Sequence, residues 1–249
     1  MGKIYVCSDI HSHLDVLEDA LSDLNDDDIL YIIGDAVDKG PDGLLPLLKI
    51  MEDQRCRMLM GNHDLMMLQY LACLNHEDSV RKSDMNEIRR TWLQLNGGLE
   101  TLKSYVLLDP EKQQEVLHFL ESLPLAVNVE TEEDKFLLVH AAVPAEYEDL
   151  DGTVPLDVVR DAEYPFLYDW KNDFVWSRNI KLVEDKVIIS GHTFVQNYGS
   201  DEIIAAGEFH WFDIDCGLAL NNSHSRLAVV CLNTMEIRYY FPKGETERM

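Results

Sequence analysis

Cysteine is scarce in this chain and never paired in sequence. The five thiols, Cys7, Cys56, Cys73, Cys216 and Cys231, are scattered and odd in number, and no two form a Cys-x-x-Cys unit. This counts against a disulfide framework and against a thiolate zinc site, and it fits a reduced, cytoplasmic setting in which most thiols are small core residues. Basic residues are also few. Against 46 Asp and Glu stand 21 Lys and Arg, a formal charge of −25. Nucleic-acid backbones and anionic membranes favour basic surfaces, so neither is an expected partner, and the acidity reads first as solubility. No apolar run approaches the ~20 residues needed to span a bilayer, and no basic-then-apolar leader precedes the first expected strand. Internal repeats and low-complexity tracts are absent.

What the chain does have is a series of short apolar runs, each followed at once by a polar residue of metal-ligand type. Ile4 to Cys7 leads to Asp9-Ile10-His11, and Ile29 to Ile33 leads to Gly34-Asp35. Met58-Leu59-Met60 leads to Gly61-Asn62-His63-Asp64, Phe136 to Val139 leads to His140, and Val187 to Ser190 leads to Gly191-His192. Buried strands read as such runs, so the polar residues are expected along one rim of a sheet. Singly, an Asp-x-His, a Gly-Asn-His-Asp or a Gly-His-Thr is a loop, a turn or a core histidine; the joint pattern is far less compatible with packing alone.

Two aspartates, one asparagine and three histidines (Asp9, Asp35, Asn62, His11, His140 and His192) make a mixed oxygen and imidazole set. Such a set suits Mn, Fe or Zn better than Ca or a thiolate-seeking ion. Six ligands exceed the needs of one open catalytic ion and suit two ions, with Asp35 as the natural bridge because an ionised carboxylate offers one oxygen to each. Two ions ~3.5–4 Å apart can clamp a phosphoryl group and acidify a shared water. Asp9 and His11 are expected on one side of an extended segment. His63, directly after a ligand in an extended turn, is expected to point elsewhere and remain free for proton transfer, with Asp38 holding and orienting it.

Asp9-Ile10-His11, Gly34-Asp35-Ala36-Val37-Asp38-Lys39-Gly40 and Gly61-Asn62-His63-Asp64 resemble the three signature blocks of the calcineurin-like metallophosphoesterases, and more narrowly their phosphoprotein-phosphatase branch. His140-Ala141, Trp176-Ser177-Arg178 and Gly191-His192-Thr193 resemble its later blocks in the same order. Asn96-Gly97-Gly98-Leu99-Glu100-Thr101-Leu102 and Ile214-Asp215-Cys216-Gly217 look like the bacterial members, and the likeness spans about residues 3–241. The resemblance implies a two-sheet α/β sandwich flanked by helices, and in-line attack on phosphorus by a metal-bridging hydroxide without a phosphoenzyme. It puts Asp9, His11 and His192 on one ion, Asn62 and His140 on the other, and Asp35 between them. It makes His63 the general acid supported by Asp38, and Arg178, Lys39 and Asn62 the contacts to substrate. Four positions depart from the family pattern: Ser12 where Gly is usual, Lys39 where a phosphate-binding Arg is usual, Met60 where Arg is common, and Asp64 in place of Glu. Lysine keeps the charge of arginine and loses its planar fork.

Residues 3–64 read as βαβαβ with parallel strands: a helix follows Ser12 with Leu14, Leu17, Leu21 and Leu24 at helical spacing, and another spans Asp42 to Met51. Residues 65–128 read as a helical insertion. Its helices are expected at Leu65–Leu74, from a capping box at Asp84-Met85-Asn86-Glu87 to about Leu95, and from Pro110 onward. The insertion is either a cap over the site or a packing element, and Trp92 and Tyr105 are expected inside its own core. Residues 144–176 read as an irregular loop delivering Trp176 and Arg178. Strands near 186–190, 203–206, 209–212, 227–232 and 236–241 follow in hairpin style. The whole, 1–249, is expected as one catalytic domain. The leading function is a metal-dependent Ser/Thr phosphoprotein phosphatase, its substrate a phosphorylated protein or small phosphoester. A diadenosine-tetraphosphatase-like polyphosphate hydrolase is the enzymatic alternative, and a binding module that keeps the fold without catalysis is the alternative of another class.

Overall fold

The structure is a computed structural model that describes residues 2–76, 79–147, 151–179, 182–183, 185–207 and 210–243. Its first part has the expected βαβαβ order: β1 (Ile4–Cys7), α1 (Leu14–Ser22), β2 (Ile29–Ile32), α2 (Leu45–Glu52) and β3 (Cys56–Met58). The three strands pair in parallel, with Cys7 beside Ile32 and Ile32 beside Met58. Three strand ends therefore lie abreast, and the chain leaving each enters the same space. Val16, Leu17, Ala20 and Leu21 form the buried face of α1, and each fully buried Val or Leu contributes roughly 1.5–3 kcal/mol.

Among the described residues, four helices then separate β3 from the next strand: α3 (Asn62–Asn75), α4 (Lys82–Arg89), α5 (Leu99–Val106) and α6 (Pro110–Ser122), with a π-helical turn at Arg90–Leu95 between α4 and α5. The start of α6 follows its sequence signal, since the Asp109 side chain accepts from the Lys112 N–H at 2.8 Å and Pro110 opens the first turn. The expected capping box at Asp84 does not form. The helix begins earlier, at Lys82, and Asp84 pairs with Arg81 instead.

The second half holds β4 (Ala126–Glu130), β5 (Lys135–Val139), β6 (Thr153–Val154), the one-turn α7 (Asp173–Trp176), β7 (Val187–Ser190), β8 (Ile204–Ala206), β9 (Trp211–Asp213), β10 (Leu227–Cys231) and β11 (Ile237–Tyr240). β4 begins inside the span read as insertion. The hairpin expectation holds for β8–β9 and β10–β11, but β5, β7 and β9 are mutually parallel, and β10 crosses back to pair with β1. One sheet runs β11-β10-β1-β2-β3 and the other β6-β4-β5-β7-β9-β8. Strand alternation sorts the core. Val6 and Val230 of the first sheet meet Phe136, Leu138 and Ile189 of the second in a buried layer. Their neighbours Tyr5, Cys7, Cys231, Leu137, Val139 and Ile188 turn the other way, into a cluster with the helices. The fold is a two-sheet α/β sandwich flanked by helices. All five cysteines are free and buried. No described helix is long and apolar enough to cross a membrane.

Candidate active site

The chain leaves β1, β2, β3, β5 and β7 on the same side of the sandwich, at the carboxyl ends of parallel strands, where open α/β sheets hold their ligands. The backbone there is not extended, contrary to the sequence expectation. Asp9 (φ 54°), His11 (φ 45°), Ser12 (φ 55°), Asp35 (φ 56°), Asp38 (φ 72°), Lys39 (φ 70°) and His192 (φ 66°) all adopt left-handed conformations. Each costs ~1–3 kcal/mol and persists only where the surroundings over-determine it. Here the determinants are hydrogen bonds that continue beyond the strands: Asp9 N–H to Gly34 O (3.1 Å), His11 N–H to Asp35 O (2.9 Å) and Ser12 N–H to Ala36 O (3.0 Å). Asn62 and His63 are likewise not in an extended turn; they open α3. The His63 N–H donates to Asp35 Oδ1 at 2.9 Å, so the helix N-terminus anchors that carboxylate. Gly61 is required for this approach, because a Cβ there would run into the Asp35 carboxylate and backbone.

The expected ligands converge. Donor atoms of Asp9, Asp35 and His140 lie within 4.8 Å of one another, as do those of His11, Asp35 and His63. Asp35 belongs to both groups. His11 Nδ1 donates to Val37 O (3.1 Å) and His140 Nδ1 to Ile33 O (2.8 Å). A carbonyl only accepts, so Nδ1 of each ring carries a proton there and Nε2 faces the site, 3.6 Å from Asp35 Oδ2. Such a carbonyl-fixed tautomer is how metal-binding imidazoles are held. His192 touches members of both expected groups: its Nδ1 lies 3.0 Å from Asn62 Oδ1, as does His140 Nε2, and its backbone N–H donates to Asp9 Oδ2 at 3.0 Å.

The electrostatics fit a cation site. Burial opposes the charge of Asp9, but the neighbouring His11 and His140 outweigh it and hold the carboxyl below the usual range. Asp35 goes the other way: burial, then the charges of Asp9 and Asp64, push it well above that range. Burial and the His140 charge take His192 down to about 3, and its Nε2 is buried with no hydrogen-bond partner among the described residues. Clustered carboxylates that cannot all ionise, beside a neutral imidazole with an unsatisfied nitrogen, are resolved together by a divalent ion.

His63 meets Asp38, with Nδ1 2.7 Å from Asp38 Oδ2, and its Nε2 lies 4.0 Å from Asp35 Oδ2. Burial works against charge on both members. It lifts Asp38 to about 7 and, with the charges of His11 and Lys39, holds His63 well below the ordinary imidazole value. The two therefore hold protons as one nearly neutral unit. Lys39 is exposed. Arg178 is exposed just beyond α7, close enough for its charge to help depress His192.

Several contributors gave no clear signal in the sequence. Asp64 accepts from the N–H groups of Asp35 (2.7 Å), Ala36 (3.2 Å) and Gly61 (3.1 Å), fixing the loop that carries Asp35. Ser12 donates to Gly43 O at 2.6 Å, and Met60 is a buried core residue. Asp213 and Asp215, fully buried at the end of β9, are pushed up by burial, Asp213 to about 8. Both aromatics expected in the insertion's core are buried there, Trp92 against Tyr70, and the Trp92 indole in addition donates to Asp38 Oδ2 at 2.8 Å.

Residues 2–215 match the calcineurin-like phosphoesterase family. The chain is 30% identical over 178 residues to the symmetrical bis(5'-nucleosyl)-tetraphosphatase of Pseudomonas putida, which is 66% of this chain and 52% of that protein. It is 29% identical over 159 residues to serine/threonine-protein phosphatase 2 of Salmonella typhimurium, 63% of this chain and 66% of that protein. The matches thus span between half and two thirds of these relatives' own length. Among solved structures, the cold-active protein-tyrosine phosphatase of a psychrophilic Shewanella shares the fold with a TM-score of 0.53, at 15% identity, over 97% of this chain and 81% of that one. With a family match running from β1 to the end of β9, and the family's ligand blocks gathered on one rim of the sandwich, this chain belongs to the calcineurin-like phosphoesterases.

Proposed function

We propose that the chain is a phosphomonoesterase dependent on two divalent ions, acting on phosphoserine or phosphothreonine in proteins. The buried Asp38–His63 pair at 2.7 Å, beside the carboxylate shared by both ligand groups, carries this reading. A serine or threonine alkoxide leaves poorly without a proton, and a positioned donor contributes about 10²–10⁴-fold. His63 supplies that proton from Nε2, while Asp38 holds the ring at Nδ1.

One ion would be held by Asp9, His11 and Asp35, the other by Asp35, Asn62, His140 and His192. Manganese is the proposed ion, with iron or zinc as alternatives compatible with the same donors. When bound, the pair supplies Lewis acidity toward the phosphoryl oxygens and lowers the pKa of the attacking water. Arg178 grips the phosphate through its planar fork, Lys39 adds a point charge and Asn62 a polar contact. On so acidic a chain, these groups and the α3 N-terminus give the phosphate a local positive field. Buried, unpaired cysteines fit the reducing cytoplasm as the site of action.

A second reading, hydrolysis of dinucleoside polyphosphates, is favoured by the relative at 30% identity. The test is a competition of kcat/KM values on the Mn-loaded protein: phosphoserine, phosphothreonine and phosphotyrosine peptides beside diadenosine tetraphosphate. Higher values on phosphoserine and phosphothreonine peptides are expected. A higher value on the dinucleotide overturns the first reading in favour of the second.

A further inference from the structure

Asp38 is held by more than His63. We infer that Trp92 and Thr101, both from the helical segment between β3 and β4, are positioning residues for the Asp38–His63 pair. Trp92 Nε1 donates to Asp38 Oδ2 at 2.8 Å, and Thr101 Oγ1 donates to Asp38 Oδ1 at 2.6 Å. The Asp38 N–H returns a bond to Thr101 Oγ1 at 3.1 Å. Trp92 and Thr101 have no solvent exposure and Asp38 has 1%. Each carboxylate oxygen thus accepts from a buried donor, Oδ2 from the indole as well as facing His63, and Oδ1 from the hydroxyl, which fixes the plane of the carboxylate.

The terminal torsion of an aspartate is otherwise broad and two-fold. Left to itself, the Asp38 carboxylate would turn, and the imidazole bonded to it at 2.7 Å would turn with it. With the indole and the hydroxyl in place, Oδ2 faces Nδ1 and Nε2 is aimed into the site. Local structure explains how the two donors arrive. Trp92 lies in the π-helical turn Arg90–Leu95, a geometry frequent at functional sites. The indole rests directly on Gly98, where any Cβ would collide with it. Thr101 follows in the first turn of α5, and Gly97 (φ +80°) packs against Lys39. The Asn96–Leu102 segment, which resembles bacterial family members, thus has a physical reason for its residues. It packs on Lys39 through Gly97, seats the Trp92 indole on Gly98 and delivers the Thr101 hydroxyl to Asp38 Oδ1.

This inference rests on the proposed role of His63 as proton donor. The experiment compares kcat for phenyl phosphate, whose leaving group needs a proton, with kcat for 2,4-dinitrophenyl phosphate, whose leaving group does not. The Mn-loaded full chain is measured with Trp92→Phe, Thr101→Val, Thr101→Ser and His63→Asn. Trp92→Phe and Thr101→Val should each lower kcat for phenyl phosphate about tenfold, a part of the 10²–10⁴ available to a positioned acid. The dinitrophenyl ester should stay within ~2-fold, with KM and metal content unchanged, and Thr101→Ser should recover the loss. On a His63→Asn background, neither change should reduce kcat further, as expected for residues that act through one another. Equal losses on both esters, or losses that add to that of His63→Asn, would show a merely structural role and overturn the inference. Should His63→Asn itself treat the two esters alike, the assignment of the proton donor is what fails. Thr101→Val removes one oxygen and keeps the volume, so it remains decisive even if Trp92→Phe does not fold.

Discussion

Replacing Asp35 by Asn should separate the stability of the metal-free protein from its response to metal. Donor atoms of Asp9, Asp35 and His140 lie within 4.8 Å of one another. Two carboxylate charges at that separation repel by about 3.5 kcal/mol at an effective dielectric constant of ~20. Without a cation, burial and this repulsion disfavour the charged form of Asp35 and push its pKa well above the ordinary range. Asparagine is close to a copy of the neutral form, and its carbonyl can still accept from the His63 N–H. The metal-free variant is therefore expected to stay within ~1 kcal/mol of the parent at neutral pH, well short of the usual cost of breaking a buried network. The sign of the pH dependence follows from the direction of the shift. A carboxyl whose folded pKa is raised favours folding fully below the ordinary carboxylate range and loses that contribution as pH rises through the raised value. Asparagine has no such dependence, so the metal-free parent should lose stability relative to the variant as pH rises. Metal reverses the ranking. An ion at a hundred times its Kd stabilises by about 2.7 kcal/mol, roughly 5–10 °C in Tm for a chain of this size. The parent should show this shift with Mn²⁺ and lose it with EDTA; Asp35→Asn should show neither. Thermal melts at three pH values, with and without Mn²⁺, decide the matter. A variant that keeps the full Mn²⁺ shift, or that melts far below the metal-free parent, would refute Asp35 as the shared ligand.

The metal-free protein should gain hydrolysis of an aryl phosphate when Mn²⁺ is added; no activity with Mn, Fe, Zn, Co, Ni or Mg would favour a binding module instead. His63→Asn should keep about two ions per chain by metal analysis, and loss of an ion would make His63 a ligand, as its place in one candidate group allows. Arg178→Ala should raise KM for phosphate esters roughly 5-fold to 10-fold, below the ~13-fold at which the range for a hydrogen bond to a charged group begins because the residue is exposed; unchanged KM and kcat would remove it from the site. Asp28→Asn tests the fold away from the site. Burial raises the Asp28 carboxyl, but N–H donors from Asn25 and Lys3 outweigh this and hold it below its ordinary value. It therefore stabilises the fold above the ordinary carboxylate range, and that contribution fades as pH falls through the lowered value. The substitution should cost about 1–3 kcal/mol at neutral pH and much less in acid, read by urea denaturation; an equal cost at both pH values would contradict it.

The layers of the fold are legible where the signal is local. The apolar runs before Asp9, Asp35, Asn62, His140 and His192 all read as strands, and each forms one or, before Asn62, ends one. Asp109-Pro110 marks the start of α6, because a cap and a fixed φ act within a single turn. The parallel pairing of β5, β7 and β9 is not legible. Consecutive apolar runs with short links read as hairpins, whereas the chain between β5 and β7 returns to the same end of the sheet and β10 joins the first sheet instead. The capping-box signal at Asp84 fails for a related reason: Arg81, three residues earlier, takes its carboxylate.

At the site, residue type and place in the chain are enough to name the candidate ligands, whereas their orientation is not readable. An Asp-x-His on an extended strand faces one side by alternation; here both residues face one centre because left-handed backbone turns them there, under hydrogen bonds from the neighbouring β2 loop. The contact of His192 with Asn62 is unreadable for the same reason, since Asn62 lies 130 residues away and is oriented by a helix start no strand pattern predicts. The donors to Asp38 come from 54 and 63 residues downstream, on a segment whose composition says only that it is helical. That distance bears on the choice between cap and packing element for residues 65–128. A pure packing element would owe the site nothing, and a pure cap would touch substrate from above. Trp92 and Thr101 instead donate to the carboxylate that also meets His63, so under the inference above this segment acts on the chemistry through the orientation of one acid pair.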